Sequence, residues 1–437
     1  MIDRPLILFA NSKSADKARR YGGPPNFHKP PRSQQVTRLG PKFSQLQKAW
    51  DSKNISLAKN DSGIEPEYTL VLEATGDPRD FDKAVRKLDE DTRGVEWLFE
   101  VVDENVPNDD EFYVLKGQKR DDSKTMSFKY FCVLTNHQAL QQILSLWNNY
   151  KSDFNYKFPQ GKTGLRNVFD ALKDIHVWGV KERIEETGLL EVWEENLQYA
   201  ENEFVKCEIE LFFRRATKDR LFSQQRITDY INSIGGKIIT FSCIEAITYH
   251  AVLASVPRAY AEKILKHEEV ELLNMEQIMF FKPTGQSIVV GSTDYFELKE
   301  PIKDSSDILN DPIIAIFDGL PQEKHTLLDN LLIVDDPDDL ASSYQIVDRI
   351  HGTSMASLIA RGDLSENCEI TARKIYVRPI MKPYPAIRGT QECIPDDILI
   401  VDKIHEAVIR LFEDYCLKHY NPCYGSADWS TVALPIF

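Results

Sequence analysis

The chain has 437 residues, with 53 Lys or Arg against 68 Asp or Glu and a formal charge of −15. That balance excludes general affinity for nucleic acid or for an anionic membrane surface, while 42% apolar and 28% charged residues fit a globular protein of two or three domains. The seven cysteines are an odd number without CxxC pairs, which argues for a reducing compartment and against a disulfide frame or a zinc site.

Residues 1–65 are taken as a basic arm and linker. Between positions 12 and 48 lie nine Lys or Arg and a single acid, Asp16, with Gly-Gly-Pro-Pro and Lys-Pro-Pro inside. This predicts a largely extended arm that packs on an acidic partner or on its own body, or else stays disordered. Leu6–Ala10 is too short for the apolar core of a secretory signal, and Asp3 precedes it. No run approaches a transmembrane helix. A cytoplasmic location is therefore expected, without cofactor or metal.

Residues 66–150 form the first unit. Tyr68–Ala74 reads as a strand. Asp80 is placed to cap a helix whose Phe81, Ala84, Val85 and Leu88 share one face. Val95, Trp97, Phe99 and Val101 alternate as on a half-buried strand, and Phe128, Tyr130, Cys132 and Leu134 do so again. Asn136 caps a helix carrying Leu140, Ile143, Leu144 and Trp147. The acidic stretch from Asp103 to Lys124 is an insert between the two alternating strands. Residues 151–203 read as a helical connector with Val168, Phe169, Leu172, Ile175, Val192 and Trp193 as apolar faces.

The same order returns in residues 204–285. Cys207, Ile209, Leu211 and Phe213 alternate, and a helix with Ile227, Tyr230, Ile231 and Ile234 stops at Gly235-Gly236. Two strands follow, Lys237–Cys243 and Ala246–Val256. Pro257 opens a helix with Ala261, Ile264 and Leu265, and a strand over 271–281 closes the unit. Two ferredoxin-like α+β units in tandem are the fold expected for this region.

Residues 286–437 carry the chemistry. Ile313-Ile-Ala-Ile-Phe317 is a short apolar run that predicts a fully buried strand, and it ends in Asp318-Gly319. His351-Gly-Thr-Ser-Met-Ala-Ser-Leu-Ile-Ala-Arg-Gly362 then opens a helix, with Thr353 as its cap and Met355, Ala356, Leu358 and Ile359 as its buried stripe. An acid ending a buried strand, followed by a histidine at a helix start, brings an orienting carboxylate against a general base. Ala372–Ile380 is a further buried strand, and Asp396 and Asp397 cap a helix with Ile400, Ile404, Val408 and Leu411 inward. Alternating strands and helices imply a parallel sheet.

These two motifs resemble the Asp and His motifs of subtilisin-like serine peptidases, and the resemblance covers about residues 310 to 412. It implies Asp318 as orienter, His351 as general base, a polypeptide substrate, and the first half of a subtilisin-like parallel-sheet domain. Gly-Thr-Ser-Met-Ala also resembles that family's serine motif, which would make Ser354 the nucleophile. His351 precedes it as the His motif requires, however, and no other His-Gly-Thr occurs to serve as its base. Beyond residue 412 the resemblance stops. Ser426 follows Gly425 without the flanking Thr and Met-Ala, and Asn421 is no better as an oxyanion donor. No nucleophile is identified, and the chain is expected to be truncated or frame-shifted near residue 415.

Loss of the serine from such a triad costs about 10⁶ in kcat, so this chain is expected to be inactive in peptide cleavage. The resemblance also implies that one α/β unit acts as a propeptide-like module against the peptidase part, and that an AAA-type ATPase is a partner. The other reading is a non-catalytic protein whose two units bind a partner.

Overall fold

The computed structural model describes residues 27–58, 68–75, 81–92, 94–199, 202–266, 268, 270–285, 308–362, 373–386, 389–412 and 431–433. The chain is mixed α/β, with antiparallel sheets in its N-terminal two thirds and one parallel sheet after them. Among the described residues no helix is long and apolar enough to cross a membrane.

A short strand β1 (Phe27–His28) leads into helix α1 (Arg32–Ala58). The extended arm expected here is thus a helix over most of its described length. Leu39, Phe43, Leu46 and Trp50 recur at helical spacing and are all buried. Gly40-Pro41 interrupts that pattern in the sequence and hides it. Phe43 stacks on Trp147 at 4.1 Å between ring centroids, and the Trp50 indole donates to His137 Nδ1 at 2.7 Å. The basic charges pair with acids of the body, Arg38 with Glu111 at 2.9 Å and Lys42 with Asp174. Of the alternatives for the arm, packing on its own body is the one observed for its described residues.

The first antiparallel sheet contains β2 (Tyr68–Thr75), helix α2 (Phe81–Thr92) and β3 (Val95–Val106). The insert folds as β4 (Tyr113–Lys116) and β5 (Lys119–Arg120), which join β1 in a small sheet of their own. Then come β6 (Met126–Thr135), α3 (His137–Ser152), α4 (Thr163–Ala171) and β7 (Leu172–Val177). The strand order is β3-β6-β2-β7, every pair antiparallel. Asn136 caps α3 by accepting from Ala139 N at 3.0 Å, whereas Asp80 lies outside the described residues. The closing strand β7 falls within residues 151–203, where a helical connector was expected. Leu172 and Ile175 look helical because they are three apart. The ladder shows the reason: Glu73 pairs with Asp174 but Ala74 with Leu172, so Lys173 is a bulge that resets the two-residue alternation.

Helix α5 (Leu189–Tyr199) leads to the second antiparallel sheet, with β8 (Phe204–Leu211), α6 (Thr217–Ser233), β9 (Lys237–Ile244), β10 (Tyr249–Pro257), α7 (Arg258–Leu265) and β11 (Ile278–Lys282). Its order, β11-β8-β10-β9, repeats that of the first sheet, with the last strand beside the first. Gly235 ends α6 at φ +81°, a conformation that a side chain would strain. Trp178 ties the two units together. Its indole donates to Met279 O at 2.8 Å, within a cluster that also holds Val71, Cys132 and Phe212.

The parallel sheet has the order β13-β14-β12-β17, from β12 (Ile314–Asp318), β13 (Leu332–Val334), β14 (Ile375–Pro379) and β17 (Thr431–Ala433). Helix α8 (Ile350–Arg361) covers one face, where Ala356 and Ala360 meet Ile314, Ile316, Ile375 and Val377. A hairpin of β15 (Lys382–Ala386) and β16 (Gly389–Cys393) precedes α9 (Ile400–Arg410), which covers the other face. There Ala407 and Leu411 meet Ala315, Phe317 and Tyr376. A parallel strand buried on both faces must be apolar at every position, which is why Ile314–Phe317 shows no alternation. Asp396 and Asp397 do not cap α9: its N-cap is Leu399 without a side-chain cap, and Asp396 instead pairs with Lys206 at 2.9 Å.

Helix α9 is also the seam with the second antiparallel sheet. Leu399 and Val401 pack on Ile244, Tyr249, Ala251 and Leu253, from the face of that sheet opposite its helices. Ser242 donates to Asp402 at 2.7 Å across the same seam.

Candidate active site

Strand β12 delivers Asp318 at its carboxyl end with 1% of its surface exposed. Helix α8 begins one residue before His351. The two side chains meet, with His351 Nδ1 2.6 Å from Asp318 Oδ1. That oxygen also accepts from Gly319 N at 2.5 Å. An ionised carboxylate only accepts, so Nδ1 carries the proton and Nε2 keeps its lone pair. Among the described residues Nε2 has no hydrogen-bond partner. The bond to Asp318 raises the His351 pKa above its ordinary value, against the opposing effect of partial burial.

Two glycines permit this approach. A Cβ on Gly352 would stand 2.2 Å from Gly319 O and 2.5 Å from Gly319 C. A Cβ on Gly319 would stand 1.9 Å from Glu392 Oε1. The first turn of α8 therefore lies directly on the backbone that follows Asp318. Further back, the stripe facing the sheet is Gly352, Ala356 and Ala360. Of the expected Met355, Ala356, Leu358 and Ile359, Ala356 is buried and Ile359 packs half-buried against the same cluster, but Met355 is only half-buried and Leu358 is 54% exposed. Small residues are selected because the helix sits close to the strands.

Thr353 does not cap the helix. Its hydroxyl donates back to Arg349 O and accepts from Gln322 N at 2.9 Å, joining the helix to the loop after β12. Ser354 is exposed, and its hydroxyl donates to Ile350 O at 2.8 Å. It is not bonded to His351. Asn421 and Ser426 lie outside the described residues.

Sequence reasoning missed Glu392 and Tyr344. Glu392, on β16, is 2% exposed. Its Oε2 accepts from the backbone N–H of His351 at 2.6 Å, and its Oε1 lies 3.1 Å from Tyr344 Oη. The signal available was an acid inside a run that ends in the buried Cys393 and Ile394. A second polar cluster fastens α9 to the segment after β13 and, through Tyr376, to β14. Arg410 grips both oxygens of Asp335 at 2.7 and 3.0 Å, Tyr376 donates to Asp335 at 2.6 Å, and Lys403 pairs with Asp338 at 2.6 Å.

No protein-family model matches the chain, and no curated protein matches it either. What the site offers rests on its geometry alone: a carboxylate, an imidazole held by it through Nδ1, and an Nε2 without a hydrogen-bond partner among the described residues.

Proposed function

We propose that Asp318 and His351 are the orienting acid and general base of a subtilisin-like serine endopeptidase site. The observation that carries this reading is the 2.6 Å contact between Asp318 Oδ1 and His351 Nδ1 at the carboxyl end of a parallel sheet. The repeated strand order of the two antiparallel sheets supports the ferredoxin-like reading of both N-terminal units. The packing of the second unit on α9 supports a propeptide-like role for it. A polypeptide substrate and an AAA-type ATPase partner complete the proposal and rest on resemblance alone, while a cytoplasmic location rests on the cysteine usage and on the short apolar run at Leu6–Ala10. The non-catalytic, partner-binding reading keeps one observation in its favour, since no described serine is bonded to His351.

No described serine is bonded to His351, so the chain alone is expected to cleave no peptide. The base is tested instead with p-nitrophenyl acetate, which an unprotonated imidazole attacks directly. The reading expects ester cleavage that is lost in His351→Gln, slowed in Asp318→Asn and unchanged in Ser354→Ala. Cleavage that persists in His351→Gln would overturn it. Fluorophosphonate labelling that disappears in Ser354→Ala would reverse the assignment of Ser354.

A further inference from the structure

We propose that Glu392 is a positioning residue for His351 and works as a neutral carboxylic acid, its Oε1–H donating to Tyr344 Oη while its Oε2 accepts from His351 N–H. The inference deepens the reading of His351 as the base and rests on it. The Tyr344 hydroxyl offers one donor and two acceptor positions. Met381 O, which only accepts, lies 3.0 Å from Tyr344 Oη and takes the hydroxyl proton. The remaining contact is Glu392 Oε1 at 3.1 Å. Two lone pairs would face each other there unless Glu392 supplies a proton.

The surroundings agree. The titratable groups facing Glu392 are Asp318 from β12, His351 from α8 and Tyr344. Burial, the largest influence, pushes the Glu392 carboxyl above its ordinary range and the Asp318 charge adds to this, outweighing the opposing contacts with His351 and Tyr344. With Glu392 neutral, Asp318 is the sole anion at the imidazole. A second carboxylate would hold the imidazolium and keep the ring from acting as a base near neutral pH. The same residue anchors the helix start, because Oε2 takes a backbone N–H that lies within the first turn of α8.

The test uses the full chain with Glu392→Gln, since glutamine presents the same donor and acceptor as a neutral acid. The His351 ring is followed by NMR titration of ¹³C-labelled histidine, with His351→Gln identifying its signal. The proposal expects an unchanged midpoint in Glu392→Gln. If Glu392 were an anion, the midpoint would fall by about one unit or more, and the proposal would be overturned. Unfolding in urea gives a second readout. A carboxyl whose folded pKa is raised stabilises fully below its unfolded value of 4.5 and loses that contribution as pH rises through the folded value. Relative to Glu392→Gln, the wild-type unfolding constant should therefore grow up to about tenfold per pH unit in that window. A flat or inverted ratio refutes the idea.

If Glu392→Gln does not fold, infrared spectra in a Glu208→Gln background decide. That background removes the other buried glutamate, among the described residues, whose carboxyl is raised by burial, and a protonated-carboxyl band at pH 7 must be present. Neither readout requires ester cleavage, so failure of the peptidase reading and failure of this one are distinguishable.

Discussion

Replacing Gly352 by alanine probes whether the close approach of α8 to the Asp318 turn creates the pair. The added Cβ would lie 2.2 Å from Gly319 O, 2.5 Å from Gly319 C and 3.0 Å from Leu320 C, where ordinary contact begins at 3.4 Å. All three neighbours are backbone atoms, so no side-chain rotation relieves the clash. The helix start must retreat by roughly 1 Å, which stretches the 2.6 Å Asp318–His351 contact past the limit of a hydrogen bond. Overpacking of this kind costs about 3 kcal/mol at its upper end. The gain in helix propensity from glycine to alanine offsets about 1 kcal/mol. The net is a destabilisation of about 2 kcal/mol, near 30-fold in the unfolding constant. Urea unfolding measures this, and NMR titration should show the His351 midpoint falling toward its ordinary value. A Gly352→Ala protein with wild-type stability and an unshifted His351 would refute the account.

Three further outcomes follow from the same geometry. The folded His351 pKa is raised, so its contribution to stability is complete below the ordinary value of 6.5 and is lost as pH rises through the folded value. Asp318→Asn should remove that slope from the pH profile of urea unfolding, and a retained slope contradicts the pairing. His176, held by Asp174 and then Glu182, is pushed up to about 9. Stability should therefore decline between 6.5 and about 9, and the profile of His176→Gln should be flatter over that interval. Leu399 is 2% exposed in the seam between the second antiparallel sheet and α9. Leu399→Ala should cost about 2–3 kcal/mol and speed limited proteolysis of residues 308–412 while leaving 68–285 intact; equal protection of both parts argues against the seam.

The parts of the fold legible in the sequence are those where local pattern and tertiary burial agree. Phe81, Ala84, Val85 and Leu88 are all buried on α2 as their spacing requires. The unbroken apolar run of β12 is buried on both faces. Where the two disagree, the sequence misleads. A bulge at Lys173 gives β7 a three-residue spacing that imitates a helix. Gly40-Pro41 conceals a helix that its tertiary contacts stabilise. Leu358 suits a helix core by composition but lies on the outer face, because the sheet accepts only small side chains at 352, 356 and 360. Asp318 and His351 were visible because each ends or begins an element. Glu392 was not, because it comes from a hairpin 41 residues beyond His351 and contributes through a backbone contact that leaves no spacing rule.

The forces that hold the acid–base pair together are separate from those that a cleavage reaction needs. Asp318 is fixed by Gly319 N and by its place in a strand flanked on both sides by parallel neighbours. His351 is fixed by Glu392, by the Gly352 contact with the Asp318 turn, and by Thr353 bonded to the loop after β12. None of these contacts involves a serine hydroxyl or an oxyanion donor. A substitution that weakens them therefore shifts the His351 titration whether or not any bond is cleaved. Conversely, absence of peptide cleavage says nothing against the pair. The titration of His351 is thus the measurement on which the geometry stands, and cleavage is the measurement on which the enzymatic reading stands. A protein in which the first behaves as argued and ester cleavage does not depend on His351 would be one whose units bind a partner around a preserved but idle Asp–His pair.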